Sequence, residues 1–353
     1  VIGSENFERR RNRLAGFLEE KKLDGYLFGG VSDLAYLTGF SSEGFQSLVT
    51  GKGTWVFSSA LLAQQIREGT SGVKVVVGKK LGEALRGLRG RFRLKKIGFD
   101  PQQTTYDTGR RLVKKAGLLP SPNPLEGLRA VKDAGEMELL RRAGRITAEA
   151  VQWMIPRVRA GMTEIQMARM IRNRFERLGA SDIGFELIAA VGPHTALPHH
   201  RPTETALKRG QAVLFDVGCR VEAYRSDLTR TFFYGSMPAS FRRVYRIVEA
   251  AQKAGFAAVK PGNRGKDVDA ASRGVIKKAG YGRYFVHSTG HGVGVDIHEA
   301  PWIRDKSLDA LKPDMVLTVE PGIYLPGRFG VRIEDTLRVT SGGYEILTKG
   351  RNE

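Results

Sequence analysis

Three prolines at alternate positions, in Leu118-Leu119-Pro120-Ser121-Pro122-Asn123-Pro124, interrupt the chain. Each proline locks its own φ, removes a backbone donor and pushes the preceding residue into an extended conformation, so no helix runs through the segment. A chain of 353 residues also exceeds what one hydrophobic core organises. A boundary is therefore expected here, giving domains at 1–125 and 126–353.

Before the break, apolar strands alternate with helical stretches. The pattern predicts a helix over 7–21, a strand over 25–28, a hairpin turning at Gly51-Lys52-Gly53 and a helix over 61–68. Short strands follow at 73–77 and 96–99 with a helix between them, which makes a small α/β domain. It has no histidine and no cluster of acids, so the chemistry is expected elsewhere. After the break, Asp133 and Glu136 form a D-x-x-E cap ahead of Leu139, Ala143, Ile146 and Ala150 at helical spacing. Helices to about Leu178 give way to strands at 185–191, 212–217, 229–233, 316–319 and 330–339, with a second helical region over 241–278. Helices followed by hairpins, twice over, hint at a duplicated α+β layout.

The net charge of +20 points toward polyanions, but few aromatics interleave with the basic stretch from Lys74 to Lys115 and no nucleic-acid motif accompanies it. A solvated basic surface is expected, with no specific nucleic acid as partner. No apolar run is long enough to span a bilayer, and Val1 to Arg13 turns charged at once, so neither a membrane partner nor a secretory signal is expected. One cysteine, Cys219, excludes an internal disulfide and suits a cytoplasmic location as a buried small residue.

Chemistry concentrates in the second part, where all six histidines lie. Asp216 and Asp227 flank an expected hairpin, and residues eleven apart on such a ladder can face each other. Taken alone, they serve equally well as turn or edge residues. In Val331-Arg332-Ile333-Glu334-Asp335, read as a strand, Arg332 and Glu334 share a face. Glu320 closes the apolar run 315–319. The run His287-Ser288-Thr289-Gly290-His291-Gly292-Val293-Gly294-Val295-Asp296-Ile297-His298-Glu299 is the most distinctive: its glycines let the backbone around His291 pass something bulky or charged. It is neither a dinucleotide fingerprint nor H-E-x-x-H, because Trp302 stands where the second histidine belongs.

That run resembles the signature of the proline-peptidase branch of the methionine aminopeptidase, prolidase and creatinase superfamily. Asp216-Val217-Gly218, the run 224–231, Glu320-Pro321-Gly322-Ile323-Tyr324 and the run 330–335 follow the family's order and separations. Asp33-Leu34-Ala35-Tyr36-Leu37-Thr38-Gly39-Phe40 is similar to a stretch of the family's N-terminal domain. The resemblance implies an α+β chain: a pita-bread catalytic domain preceded by a smaller, non-catalytic α/β domain of creatinase type.

By the same resemblance, Asp216, Asp227, His291, Glu320 and Glu334 would ligate two divalent metal ions, with Asp227 and Glu334 bridging. Two adjacent cations would lower the pKa of bound water, so that hydroxide is available at neutral pH. Oxygen-rich ligation with one imidazole points to manganese or cobalt, with zinc and iron as other candidates. Glu320 would also shuttle the proton, His298 would contact the scissile peptide, and His199, ahead of its neighbour His200, would stabilise the tetrahedral intermediate. Tyr224 and Arg332 would orient the ligand carboxylates and His287 would lie near the proline pocket. His194 has no such role and reads as a loop residue.

The implied activity is Xaa-Pro aminopeptidase action on peptides with proline in second position, in a homodimer. The alternative is an Xaa-Pro dipeptidase, which needs a cation for the free carboxylate; Arg304, Lys306 and Arg328 lie in suitable loops. A non-catalytic binding module of the same fold, a creatinase-type amidinohydrolase and a methionine aminopeptidase fit less well. All five ligand positions are filled and an N-terminal α/β domain is present.

Overall fold

The computed structural model describes residues 2–349. Contacts divide the chain into two compact units between Leu128 and Arg129. The first is an α/β layer in which α1 (Ser4–Glu20), β1 (Gly25–Phe28), α2 (Val31–Thr38), β2 (Phe45–Thr50), β3 (Gly53–Ser58) and α3 (Ala60–Gly69) come first. They are followed by β4 (Lys74–Val77), α4 (Leu81–Phe92), β5 (Ile97–Phe99), α5 (Tyr106–Arg111) and β6 (Leu119–Pro120). One mixed sheet has the order β4-β3-β2-β1-β5-β6. The expected hairpin closes with Thr50 opposite Gly53.

Two features depart from the sequence pattern. Helix α2 went unread because six of its eight residues, Asp33 to Thr38, are buried, and a helix buried all round shows no amphipathic period. The proline run is not a free connector. Leu119 and Pro120 pair with Gly98 and Phe99 at the sheet edge, where a missing N–H is tolerated. Asn123 is buried, and its amide donates to Asp33 Oδ2 at 2.6 Å.

α6 (Leu125–Ala130) spans the division and leads into the second unit. There α7 (Ala134–Met154) and α8 (Glu164–Arg177) open the fold, each started by a capping box, at Asp133/Glu136 and Thr163/Gln166. Next come β7 (Asp182–Ile183), β8 (Ile188–Val191), β9 (Gln211–Val217), β10 (Cys219–Val221), β11 (Tyr224–Arg225) and β12 (Leu228–Tyr234). A second helix pair, α9 (Ala239–Ala258) and α10 (Gly265–Lys278), precedes β13 (Gly290–Gly292), β14 (Glu299–Ile303), β15 (Val316–Val319) and β16 (Gly322–Leu325). The chain then forms β17 (Phe329–Arg332), β18 (Asp335–Val339) and β19 (Tyr344–Ile346).

Helix pair then antiparallel sheet therefore occurs twice: β12-β9-β8 after α7 and α8, then β14-β13-β15-β18-β19 after α9 and α10. The second helix pair covers its strands with two apolar clusters. Phe241, Val248 and Ile276 pack with Ile323 and Val331, while Val268 packs with Leu317 and Leu337. Burial of such side chains contributes about 1.5–3 kcal/mol each.

The run 330–339 is not one strand. β17 pairs with β16 and β18 with β15, and the chain changes partners at Ile333 and Glu334. The Glu334 amide there donates to Thr229 O at 3.1 Å. Likewise only 188–191 of the expected 185–191 strand is extended in a ladder.

Candidate metal centre

Asp216 lies one residue from the end of β9, and the residue opposite it is Thr229, not Asp227. Asp227 comes two residues before Thr229, just ahead of β12, so it is a diagonal neighbour of Asp216 on the same face. The expected direct pairing is off by two residues of the ladder. Both aspartates still point toward one place.

His291 is the centre of β13. A Cβ at Gly290 would overlap Thr318 O, and one at Gly292 would overlap Ala300 O. The glycines therefore admit the backbones of β15 and β14, not a bulky ligand as the sequence pattern suggested. His291 Nδ1 lies 3.1 Å from Gly292 O; a proton on Nδ1 leaves Nε2 with a lone pair facing the acids. Nε2 is 3.3 Å from Glu320 Oε1 and 3.7 Å from Asp227 Oδ2.

Glu320 follows β15, held by its amide to Thr289 O at 2.8 Å. Glu334 occupies the break between β17 and β18, where Thr229 Oγ1 donates to its Oε2 at 2.6 Å. Ligand atoms of Asp227, His291 and Glu334 all lie within 4.8 Å of one another.

Four carboxylates share this buried space with one guanidinium, that of Arg332. Burial pushes Asp227 and Glu334 well above the usual carboxylate range, and their acidic neighbours push them further. Burial also raises Asp216, against the pull of Arg332. Glu320 moves the other way, to about 2: burial would raise it, but its hydrogen bond and charge contact with His291 win.

Asp216 Oδ1, Asp227 Oδ1 and Glu334 Oε1 are buried with no hydrogen-bond partner among the described residues. An orphaned buried carboxylate oxygen costs several kcal/mol unless a cation meets it. The donor set thus fits divalent cations.

Arg332 donates from Nη2 to Asp216 and from Nη1 to Tyr324 Oη at 2.7 Å. Tyr324 in turn lies 2.8 Å from His287 Nε2, and His287 Nδ1 lies 2.7 Å from Ser288 O. The chain of bonds runs from a candidate ligand to the cavity wall and fixes both rings. The Tyr224 hydroxyl donates to Glu136 Oε1 at 3.2 Å, and Tyr224 does not line the cavity, so it braces β11 against α7.

The five candidate ligands line a cavity of about 490 Å³ together with His199, His200, His287 and His298. The His298 ring meets that of His291 edge-on, with centroids 4.3 Å apart. Phe185, Ile188, Ile297 and Trp302 supply an apolar side.

A family model described as metallopeptidase family M24 matches residues 138–341, and one described as the creatinase/prolidase N-terminal domain matches residues 10–131. The chain belongs to metallopeptidase family M24. It is 33% identical over 350 residues to an Xaa-Pro dipeptidase of Pyrococcus furiosus, covering 98% of this chain and 99% of the relative. A solved Xaa-Pro dipeptidase from Bacillus anthracis superposes with a TM-score of 0.92 at 32% identity, covering 98% of each chain. A solved X-Pro aminopeptidase from Thermotoga maritima gives 0.89 at 29% identity, covering 96% of this chain and 97% of its own. This M24 chain is accordingly a metal-dependent hydrolase with the α+β pita-bread fold and a creatinase-type N-terminal domain.

Three residues of this M24 site escaped the sequence reading. Thr229 and Tyr324 stand within motif runs, but nothing in their spacing marks a partner. Glu164 is the third. It is the first residue of α8, fully buried, and it gathers donors from three segments.

Its Oε1 accepts from Val191 N at 2.9 Å and lies 2.9 Å from His194 Nδ1. Its Oε2 accepts from Thr203 N at 3.0 Å and Thr203 Oγ1 at 2.8 Å, and lies 2.7 Å from His200 Nε2. Burial would raise Glu164, but these bonds, led by His200, hold it below the usual carboxylate range. His194 is thus no idle loop residue. His200 is engaged with Glu164, whereas His199 is exposed and has no hydrogen bond among the described residues. Among the described residues no helix is long and apolar enough to cross a membrane.

Proposed function

We propose that this M24 enzyme is a dinuclear Xaa-Pro dipeptidase that hydrolyses the peptide bond before proline. The observation that carries the dinuclear centre is the set of three orphaned carboxylate oxygens around His291, inside a cavity that four further histidines share. The sequence resemblance leans to the aminopeptidase. The weight here falls on the dipeptidase because relatives of that name, at 32–33% identity, match nearly the whole chain.

In this reading Asp216, Asp227, His291, Glu320 and Glu334 hold two divalent cations, manganese or cobalt by their oxygen-rich chemistry. When bound, the cations would polarise the scissile carbonyl and acidify water. Glu320 takes the water proton and returns it to the leaving prolyl nitrogen. His199 donates to the developing oxyanion, a role supported by its having no hydrogen bond among the described residues while His200 is engaged with Glu164.

His298, edge-on to His291, meets the scissile peptide. His287, held by Tyr324, lies against the apolar side that takes the pyrrolidine ring. A bond whose nitrogen carries no hydrogen escapes proteases that grip that N–H, so a ring-shaped pocket is what such a site adds. Arg332 orients Asp216.

The N-terminal domain, 1–125 by sequence, is taken as non-catalytic, since no lining residue of the cavity precedes Phe185. A cytoplasmic homodimer completes the reading, resting on the single buried cysteine and on the family resemblance. The deciding assay sets metal-replete enzyme on Xaa-Pro and Xaa-Pro-Xaa peptides side by side. Cleavage of dipeptides alone supports the reading, and equal turnover of tripeptides returns it to the aminopeptidase. Sedimentation of the purified chain checks the dimer.

A further inference from the structure

A dipeptide presents a free carboxylate next to its proline ring, and a site selective for dipeptides needs a cation there. The three cations in loops that sequence reading favours do not line the cavity: Arg304 lies 5.4 Å from the Trp302 ring, Arg328 lies 5.7 Å from the Phe329 ring, and Lys306 is exposed elsewhere. Two arginines do line it, Arg332 and Arg201. The guanidinium of Arg332 is buried and already bonded to Asp216, Tyr324 and Thr229. Arg201 is exposed, with no hydrogen bond or ion pair among the described residues.

Its backbone, by contrast, is anchored on both sides. His200, just before it, is bonded to Glu164, and Thr203, two residues after it, gives the same carboxylate two hydrogen bonds. Pro202 follows Arg201 directly and disfavours a helical conformation there. One buried carboxylate therefore presents two groups to the cavity from a fixed loop, the His199 imidazole and the Arg201 guanidinium. Glu186, the exposed acid of the lining, has the wrong sign for a carboxylate.

We propose that Arg201 binds the C-terminal carboxylate of the dipeptide substrate and so sets the substrate length. The planar guanidinium matches a carboxylate with two parallel hydrogen bonds, a geometry that lysine cannot reproduce. The proposal rests on the Xaa-Pro reading above.

The test compares Ala-Pro with its C-terminal amide, using metal-loaded wild type, Arg201→Met, Arg201→Lys and Arg304→Ala. Wild type is expected to prefer the free acid. Arg201→Met should lower kcat/KM for the acid about tenfold or more, mainly through KM, and leave the amide unchanged; one charge-assisted hydrogen bond has that scale. Arg201→Lys should recover part of the preference and Arg304→Ala all of it. Inhibition by L-proline should weaken in Arg201→Met while the weaker inhibition by L-prolinamide does not change.

Equal losses for acid and amide, a wild type indifferent to the amide, or a preference that vanishes in Arg304→Ala would each overturn the role of Arg201. Those outcomes leave Xaa-Pro cleavage standing. A wild type inactive on every Xaa-Pro peptide overturns the functional reading first, and this one with it.

Discussion

The second unit buries two clusters of acid and imidazole, and they differ in the number of donors that reach each acid. At Glu164 both oxygens are satisfied, by two backbone amides, a hydroxyl and two histidines. Around His291, four acids share one guanidinium, and three carboxylate oxygens have no partner among the described residues. Both clusters bring ligand atoms close enough for an ion. Proximity alone therefore does not separate a metal centre from a structural hub. The donor count does, because a satisfied carboxylate gains little from a cation and an orphaned one gains a great deal.

The sharpest way to break this contrast is at Glu334. Glu334→Ala is expected to lower kcat by about a thousandfold or more. The ion-free variant should melt no lower than ion-free wild type, since a buried carboxyl group with one orphaned oxygen is removed. Near-normal turnover with manganese would end the dinuclear model.

His199→Ala comes next, with a fall in kcat of about a hundredfold and little change in bound metal. If His200→Ala instead shows the larger catalytic loss at unchanged stability, the doublet has been assigned the wrong way round.

Metal content sharpens the comparison directly. Elemental analysis should find two ions per chain in wild type and in Glu164→Gln alike. A third ion in wild type that disappears in the variant would make the hub a metal site.

The smallest effect is on stability. Glu164→Gln should cost about 2–3 kcal/mol in urea denaturation, because several donors lose a charged acceptor. The sign with pH follows from the depressed value of Glu164. Its contribution is complete above the ordinary value of 4.5 and is lost as the pH falls through the lower folded value. Wild type should therefore lose stability more steeply than Glu164→Gln below about pH 4.5, and parallel curves would contradict the assignment.

Much of the candidate metal centre was legible in the letters because its candidate ligands sit in short runs with marked chemistry. The glycine-flanked His291, the Asp216 and Asp227 pair, and Glu320 before Pro321-Gly322 each carry a local signal. The ladder offset between the aspartates was not legible, since register depends on which partner strand arrives and where the chain bulges. Glu164 was invisible for a related reason. A glutamate at the start of an amphipathic helix reads as an exposed first-turn acid, and only the return of residues 191, 194, 200 and 203 to its side chain buries it.

By itself the sequence determined the capped helices and the identity of the side chains that can meet a cation, because these depend on contacts within a few residues. Tertiary structure alone decided that Tyr224 braces Glu136, that Arg332 serves Asp216, and that His200 is held while His199 and Arg201 have no hydrogen bond among the described residues. Those outcomes turn on donors and acceptors brought together from distant segments, and the balance of partners at a buried group exists only once the chain has folded around it.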